Sequence, residues 1–308
     1  MSKPFTTYDE QIEILEGKGL LIPNKEEAVH LLKKYSYFGL ISGYKHPFKN
    51  RDKKYKLRTT INDIYALYKF DMELRELYLR YILLIENNVK SLISYYFCAE
   101  YGESENAYLN ANNYNYTLNN QDQINTLISK LKDAKMDCQN HPYIKHQQEC
   151  YANVPLWALI KTITLGTVSK LYSYLTSHAQ TQISKEYTDV NEIELARMLD
   201  LLSRFRNVCA HNERLFDYKS GKRGIRDTKI HAELNLKRKN GRYIQGKQDL
   251  FAIVIVFKLL LDKADFEEFY QKMDILIESL LKNTRIIERT QILKLMGFPI
   301  NWEQIKDM

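Results

Sequence analysis

The segment from Thr60 to Tyr101 constrains the fold more than any other part of this 308-residue chain. Its apolar residues recur at spacings of three and four, which is the period of one face of an α-helix. The stripe consists of Leu74, Leu77, Tyr78, Tyr81, Ile82, Ile85, Val89, Leu92, Ile93 and Tyr96. Further apolar side chains flank this stripe, so we expect a long central helix that is buried on most sides.

The low content of Gly and Pro extends this expectation to the whole chain. Eleven Gly and six Pro are too few for an all-β protein with many tight turns. Helical periodicity predicts helices at about 8–17, 25–37, 121–135, 167–176, 189–210, 249–261, 265–282 and 288–295, and another after Pro155. Residues 35–44, 45–58 and 106–121 are expected to form turns or loops. The pair Asn240-Gly241 lies between two extended runs and predicts a β-hairpin.

These patterns predict an all-α fold, a multi-helix bundle with a small basic β-hairpin insertion at about 219–247. Residues 1–58 are expected to form a helical extension packed on a core domain of residues 59–308. The chain is 44% hydrophobic and long enough to bury a core, which excludes disorder for most of it. Its 45 Lys and Arg outnumber 38 Asp and Glu, and this net charge of +7 mildly favours anionic partners.

The sequence predicts no cofactor, no metal site and no membrane segment. Its four cysteines are Cys98, Cys138, Cys150 and Cys209, and no two form a C-x-x-C pair. His141, His146 and Cys150 have a spacing that suits a metal, but no fourth ligand is evident. The N-terminus has no apolar signal region, and the longest apolar run, 251–261, is far below the ~20 residues of a membrane span. We therefore expect a cytoplasmic protein.

The segment that carries chemistry lies at the end of the amphipathic helix at 189–210. Arg206 and Asn207 are followed by His211, and a helical projection at about 100° per residue places Asn207 and His211 on one polar face, together with Arg204. Arg206 instead projects into the apolar stripe. Because burying an unpaired charge is very costly, Arg206 must contact an anion, a protein carboxylate or water at an interface.

Two interpretations of this segment are open. In the structural one, Arg206 pairs with a buried Glu and His211 interacts with the dipole at the end of its helix. In the functional one, His211 exchanges protons near neutral pH and the Arg206 guanidinium stabilises a phosphate that gains charge. Asn207 then orients the histidine or the substrate. These three groups suffice for metal-free RNA cleavage by the ribose 2′-OH.

Several stretches carry a family resemblance. The segment 206–212 resembles the R-x4–6-H signature of HEPN ribonucleases, and the rest of the chain is similar to the Abi-like (AbiD/AbiF) abortive-infection family. The likeness from about residue 5 to 305 rests on Tyr37-Phe38-Gly39-Leu40-Ile41-Ser42-Gly43-Tyr44, Tyr68-Lys69-Phe70-Asp71-Met72-Glu73-Leu74-Arg75, the Ile85-Glu86 region, and Met296-Gly297-Phe298-Pro299 with Asn301-Trp302.

The resemblance implies a HEPN-type helical bundle and a metal-independent endoribonuclease toxin used in phage defence or in a toxin–antitoxin system. Its catalytic residues would be Arg206, Asn207 and His211. HEPN nucleases generally build one site from two motifs across a two-fold axis. Since this chain has one convincing motif, the resemblance implies a homodimer, and a small RNA is a candidate antitoxin. The alternatives are a non-catalytic RNA-binding module and a helical interaction protein whose motif is structural.

The basic insertion is the second candidate for RNA contact. Its cations are Lys219, Lys222, Arg223, Arg226, Lys229, Lys237, Arg238, Lys239, Arg242 and Lys247. We assign Lys237, Arg238, Lys239 and Arg242, together with Arg204, to the RNA backbone, where phosphate contacts supply salt-dependent affinity. The alternative is a solvated loop.

Glu86 is the remaining candidate. Lys90 follows it by four residues, so an ion pair along one helix face is the structural interpretation. The alternative is an inner carboxylate that supports the site by holding Arg206.

Overall fold

The computed structural model describes residues 4–137, 139–221 and 224–308. Helices form nearly all of the regular structure in these ranges, and the strands there are the two short strands of one antiparallel pair. The predicted all-α class with a small β-hairpin is therefore confirmed.

The N-terminal part contains α1 (Tyr8–Glu16), α2 (Lys25–Tyr35), a π-helix (Tyr37–Ser42) and a 3₁₀ turn (His46–Phe48). The Asn24 side chain accepts a hydrogen bond from the Glu27 backbone N–H at 3.2 Å and so caps α2. This helix ends two residues earlier than predicted because Ser36 leaves the helical conformation at φ 59°, ψ 155°. Buried side chains of α1 and α2 belong to the same apolar core as the rest of the chain. The domain boundary at residue 58 stays a prediction.

The long helix α3 (Ile61–Tyr101) confirms the prediction from the apolar stripe. It has 41 residues and is about 60 Å long at 1.5 Å per residue. Thr60 and Asp63 form its capping box, with the Thr60 N–H donating to Asp63 Oδ2 at 2.8 Å. Gly102, at φ 85°, ends it.

The remaining elements follow in chain order. They are α4 (Glu105–Leu109), a 3₁₀ turn (Ala111–Asn113), α5 (Gln121–Asp137), α6 (Pro142–Tyr151), α7 (Leu156–Leu159), α8 (Leu165–Tyr174), α9 (Ser177–Ser184), α10 (Glu192–Ala210), α11 (Lys229–Glu233), β1 (Arg238–Lys239), β2 (Arg242–Tyr243), α12 (Leu250–Leu260), α13 (Lys263–Asn283), α14 (Arg289–Met296) and a 3₁₀ helix (Trp302–Asp307). The prediction of a loop over 106–121 is wrong for its first half, because Tyr108 is buried and anchors α4 to the core.

The core is organised around α3. The helices α13 and α10 pack along it, and α8, α9 and α12 in turn contact α10. Residues 250–257 of α12 are all buried, so the longest apolar run of the sequence is an interior helix of the bundle. In the ranges that the structure describes, no helix combines the length and the apolar character that a membrane crossing requires.

The basic insertion is folded. Asn240 and Gly241 have φ of 51° and 75°, which suits a type I′ turn, and Lys239 pairs with Arg242 across it. The predicted hairpin is thus confirmed. Ile225, Ile230, His231, Leu234 and Leu236 are buried, so the solvated-loop interpretation is wrong for much of the segment. Lys222 and Arg223 lie outside the described residues.

Candidate functional site

The motif lies where α10 ends. Asn191 caps the start of this helix and His211 is its C-terminal cap. Asn212 takes a left-handed conformation at φ 56°, and the Glu213 N–H returns to the Val208 carbonyl at 3.1 Å. This is a Schellman arrangement. The His211 N–H also donates to the Asn207 carbonyl at 2.9 Å, so the backbone holds these two residues one turn apart.

The three motif side chains have different environments. Asn207 and His211 are exposed, as the polar face predicts, whereas Arg206 is partly buried. The Arg206 Nε is fully enclosed and has no hydrogen-bond partner. No carboxylate in the described part of the chain pairs with this guanidinium. The structural interpretation, in which a buried Glu neutralises Arg206, therefore has no support within one chain.

A buried polar cluster fixes the segment that follows the motif. The Tyr44 hydroxyl donates to Asp71 Oδ2 at 2.7 Å, and Arg75 Nη1 donates to the same oxygen at 2.5 Å. Asp71 also accepts the backbone N–H groups of Leu215 and Phe216, the latter at 2.7 Å. Burial raises the pKa of Asp71, while these hydrogen bonds and the Arg75 charge act in the opposite direction.

Two arginines add to this attachment. Arg75 Nη1 donates to the Glu213 carbonyl at 3.3 Å, and Arg214 Nη1 donates to the Gly43 carbonyl at 2.5 Å. Two of the family-like stretches, 37–44 and 68–75, are thus joined to the end of the motif. Sequence reasoning assigned no role to this cluster. Its signal was present, since Asp71 and Arg75 stand four residues apart among the buried positions of α3.

Cys209, inside the motif segment, is not available as a nucleophile. Burial raises the pKa of its thiol to about 12, so the thiol stays protonated at neutral pH.

The same R-x4-H spacing recurs at Arg226 and His231, and the structure separates the two occurrences. His231 is completely buried. Its Nδ1 accepts from the Thr228 N–H at 3.1 Å, and its Nε2 donates to the Gly246 carbonyl at 3.0 Å. Burial, aided by the Lys247 charge, lowers its pKa to about 4. His231 is therefore a neutral, enclosed core residue, and spacing alone does not identify the site.

Some of the other predicted RNA-contacting side chains already have partners within the protein. The Arg204 guanidinium forms an ion pair with Asp200 and contacts Ser220 Oγ at 3.5 Å. The Arg238 guanidinium stacks 4.1 Å from the centre of the Tyr243 ring. Lys237, Lys239 and Arg242 are exposed. Their contact with RNA stays a prediction.

Glu86 does not support Arg206 within one chain. Its Oε1 lies 2.7 Å from Lys90 Nζ, and Lys90 also donates to the Ile163 carbonyl at 2.8 Å. The structural interpretation, an ion pair along one helix face, is confirmed. Glu86 Oε2 is buried and has no partner.

The His146 and Cys150 side chains lie on one exposed face of α6, with Sγ 3.6 Å from Nδ1. Within residues 4–137, 139–221 and 224–308, no three His, Cys, Asp or Glu side chains are grouped to hold a metal ion. Cys138 lies outside these ranges.

Comparison with known proteins gives one family. The family model described as Abi-like protein matches residues 30–217, which is more than half of the chain. The matched region includes the motif and the cluster around Asp71, and it is narrower than the span of about 5 to 305 expected from the resemblance. No curated protein and no solved structure matches the chain.

Proposed function

The chain belongs to the Abi-like family, and on this premise we propose that it is an endoribonuclease toxin of a bacterial abortive-infection or toxin–antitoxin system. One observation carries the proposal. The exposed His211 follows, five residues along the chain, a partly buried Arg206 whose Nε has no protein partner. A phosphate is a natural anion for such a guanidinium, because its planar fork matches phosphate oxygens.

The proposed reaction needs two proton transfers. A neutral imidazole removes the proton from a ribose 2′-OH, and the 2′ oxygen attacks the adjacent phosphorus. The bond from phosphorus to the 5′ oxygen breaks, and an imidazolium protonates that leaving oxygen. The products are a 2′,3′-cyclic phosphate and a 5′-OH end. Arg206 stabilises the negative charge that develops on the phosphate.

A homodimer is part of the proposal. The reaction uses one histidine as base and one as acid, and each chain offers one exposed motif histidine. The second R-x4-H match does not supply the other, since His231 is buried. A second copy would bring both His211 side chains, and both Arg206 guanidinium groups, to one site.

A small RNA antitoxin completes the proposal. The net charge of +7 favours an RNA ligand of this kind. Such an RNA would hold the toxin inactive by occupying the surface that the substrate uses.

The test uses purified protein and total RNA in EDTA, with His211→Ala as the control. We expect cleavage by the wild type alone, and mass spectrometry should find 2′,3′-cyclic phosphate and 5′-OH ends. Products with a 3′-OH and a 5′-phosphate would contradict the mechanism, because they indicate attack by an activated water. If induced His211→Ala arrests growth as strongly as the wild type, the helical interaction protein replaces the ribonuclease.

A further inference from the structure

The π-helix at Tyr37–Ser42 exposes an aromatic side chain. Phe38 is 82% exposed, whereas Leu40 and Ile41 of the same turn are completely buried. A single exposed apolar residue is ordinary on a protein surface and needs no explanation by itself. The conformation of this turn and its attachment to the motif segment distinguish Phe38 from such a residue.

The turn is held in a costly conformation. Ser36 has φ 59° and ψ 155°, a region that is essentially confined to glycine and costs about 1–3 kcal/mol for other residues. Its Oγ accepts a hydrogen bond from the Gly39 N–H at 3.0 Å. π-Helical turns are rare and frequently occur at functional sites. The strained residue directs the chain so that Phe38 points to solvent while its neighbours anchor the turn.

The turn is attached to the motif segment. The Gly43 N–H donates to the Phe38 and Leu40 carbonyls, and the Gly43 carbonyl accepts from Arg214. Arg214 is three residues beyond His211. Two hydrogen bonds therefore lead from the backbone of Phe38, through Gly43, to Arg214 in the segment that follows α10.

The chain after the turn is strongly basic. Residues 45–58 contain seven Lys or Arg and one Asp. Arg51, Lys53 and Lys54 are exposed at the tip of this loop. Lys49 lies 4.7 Å from the centre of the Tyr55 ring. Burial lowers the pKa of Lys49, and the charges of Lys45 and Lys18 lower it further. Lys49 therefore lies close to other positive charges, among them Lys45 of the same loop.

We propose that Phe38 stacks on an unpaired base of single-stranded RNA whose backbone follows the basic loop 45–58. The inference rests on the proposed ribonuclease function and adds a substrate class to it. An aromatic platform beside cations is the usual means of binding single strands, because each base has a face to stack while phosphates contact Lys and Arg. A duplex keeps its bases stacked and offers no such face to Phe38.

The test measures RNA affinity by fluorescence anisotropy on the His211→Ala chain, which leaves the probe uncut. The probe is a short labelled single strand of mixed sequence. Stacking contributes about 1–3 kcal/mol per base, so Phe38→Ala should weaken binding by about 5- to 150-fold. Phe38→Trp should retain affinity. Phe5→Ala is the matched control, because Phe5 is 89% exposed and belongs to no such turn. A duplex of the same sequence should bind both variants equally.

Equal single-strand affinity of Phe38→Ala and Phe5→Ala would overturn the inference. A change of oligomeric state without a change of affinity would overturn it as well, by placing Phe38 in a contact between copies. Cleavage by the wild type is measured separately. If the wild type cleaves and Phe38→Ala binds normally, this inference fails and the proposed function stands. If the wild type does not cleave, the proposed function fails whatever Phe38 does.

Discussion

At the scale of single residues, His211 and His231 form a natural pair for comparison. Both occupy the last position of an R-x4-H match, but His211 is exposed and His231 is enclosed. An exposed imidazole can exchange protons with substrate and solvent. An enclosed neutral one can only serve packing and its two hydrogen bonds.

His211→Ala should lower the rate of RNA cleavage by roughly 10²- to 10⁴-fold, the usual contribution of a general acid–base group. Its melting temperature should stay close to that of the wild type, because the side chain is exposed. His231→Ala should instead lower the melting temperature. Cleavage assays and thermal melts on both variants check this, and a His211→Ala chain that cleaves normally while folded would contradict it.

Replacements of the other two motif residues should differ in severity, and Arg206→Ala should also abolish cleavage. Arg206→Lys should not restore the activity lost in Arg206→Ala, because an ammonium group lacks the planar fork of donors. Asn207→Ala should be the mildest, since its backbone carbonyl, rather than its side chain, holds the His211 N–H. The same cleavage assay measures the Arg206→Ala, Arg206→Lys and Asn207→Ala variants.

The titration of His231 makes a further prediction. Its pKa falls from 6.5 to about 4 on folding. Between these pH values the unfolded chain binds a proton that the folded chain does not bind. The stability from this residue is complete above pH 6.5 and is lost as the pH falls toward 4.

The buried Asp249 titrates in the opposite sense, with its pKa raised to about 6. The comparison must therefore be between wild type and His231→Gln, in which the Asp249 contribution cancels. We expect the difference in free energy of unfolding to shrink by about 2 kcal/mol between neutral pH and about pH 4.5. Denaturant melts across this range measure it, and parallel pH profiles would refute the prediction.

At the scale of elements, the cluster of Tyr44, Asp71 and Arg75 joins α3 to the segment after α10. Asp71→Asn leaves the Arg75 charge buried without its counter-ion, so the free energy of unfolding should fall by about 3–5 kcal/mol. Adding Arg75→Met removes the stranded charge and should recover part of this loss. Asp71→Asn should also lower the rate of cleavage. This rate should not recover in the double variant, because Arg75 also donates a hydrogen bond to the Glu213 carbonyl.

An exposed pair on the same helix is the control for this experiment. Arg80 contacts Glu268 at 3.4 Å with both side chains well exposed. Because surface ion pairs contribute only about 0–1 kcal/mol, Arg80→Met should change stability and cleavage little. If Arg75→Met restored cleavage to Asp71→Asn, the cluster would have no positioning role.

The hairpin makes a separate prediction. Replacing Lys237, Arg238, Lys239 and Arg242 with Gln should weaken RNA binding and flatten its dependence on salt, since fewer counterions are released. Full phosphate contact by all four would change the logarithmic slope by about 3 for a single strand. We expect a smaller change because Arg238 is stacked on Tyr243. An unchanged slope in filter-binding titrations would show that the hairpin does not contact the RNA backbone.

At the scale of the whole molecule, the proposed site needs two copies. Light scattering should give a dimer at micromolar concentration. Coexpression of wild type with an excess of His211→Ala should form mixed dimers, so activity per wild-type chain should fall. Activity that stays proportional to the wild-type chains present would mean that each chain acts alone.

Most of the helical architecture followed from the sequence. Helix positions follow from apolar periodicity, which can be read along the chain. Caps such as Asn24 for α2 and Thr60 for α3 are hydrogen bonds between residues three apart. The Asn240-Gly241 turn and the Glu86–Lys90 ion pair are local in the same sense. Short elements such as α4, α6 and α9 were missed because their helical period is brief and their stability comes from packing.

The tertiary structure decided what surrounds each side chain at the site. Nothing in the spacing distinguishes His211 from His231, because burial depends on which distant segments cover a residue. The attachment of Leu215 to Asp71 joins positions 144 residues apart. The strained Ser36 likewise takes a conformation that its own preferences disfavour. Local pattern and caps determine where most of the long helices lie, whereas exposure, long-range partners and the strained end of α2 exist only after the helices have packed.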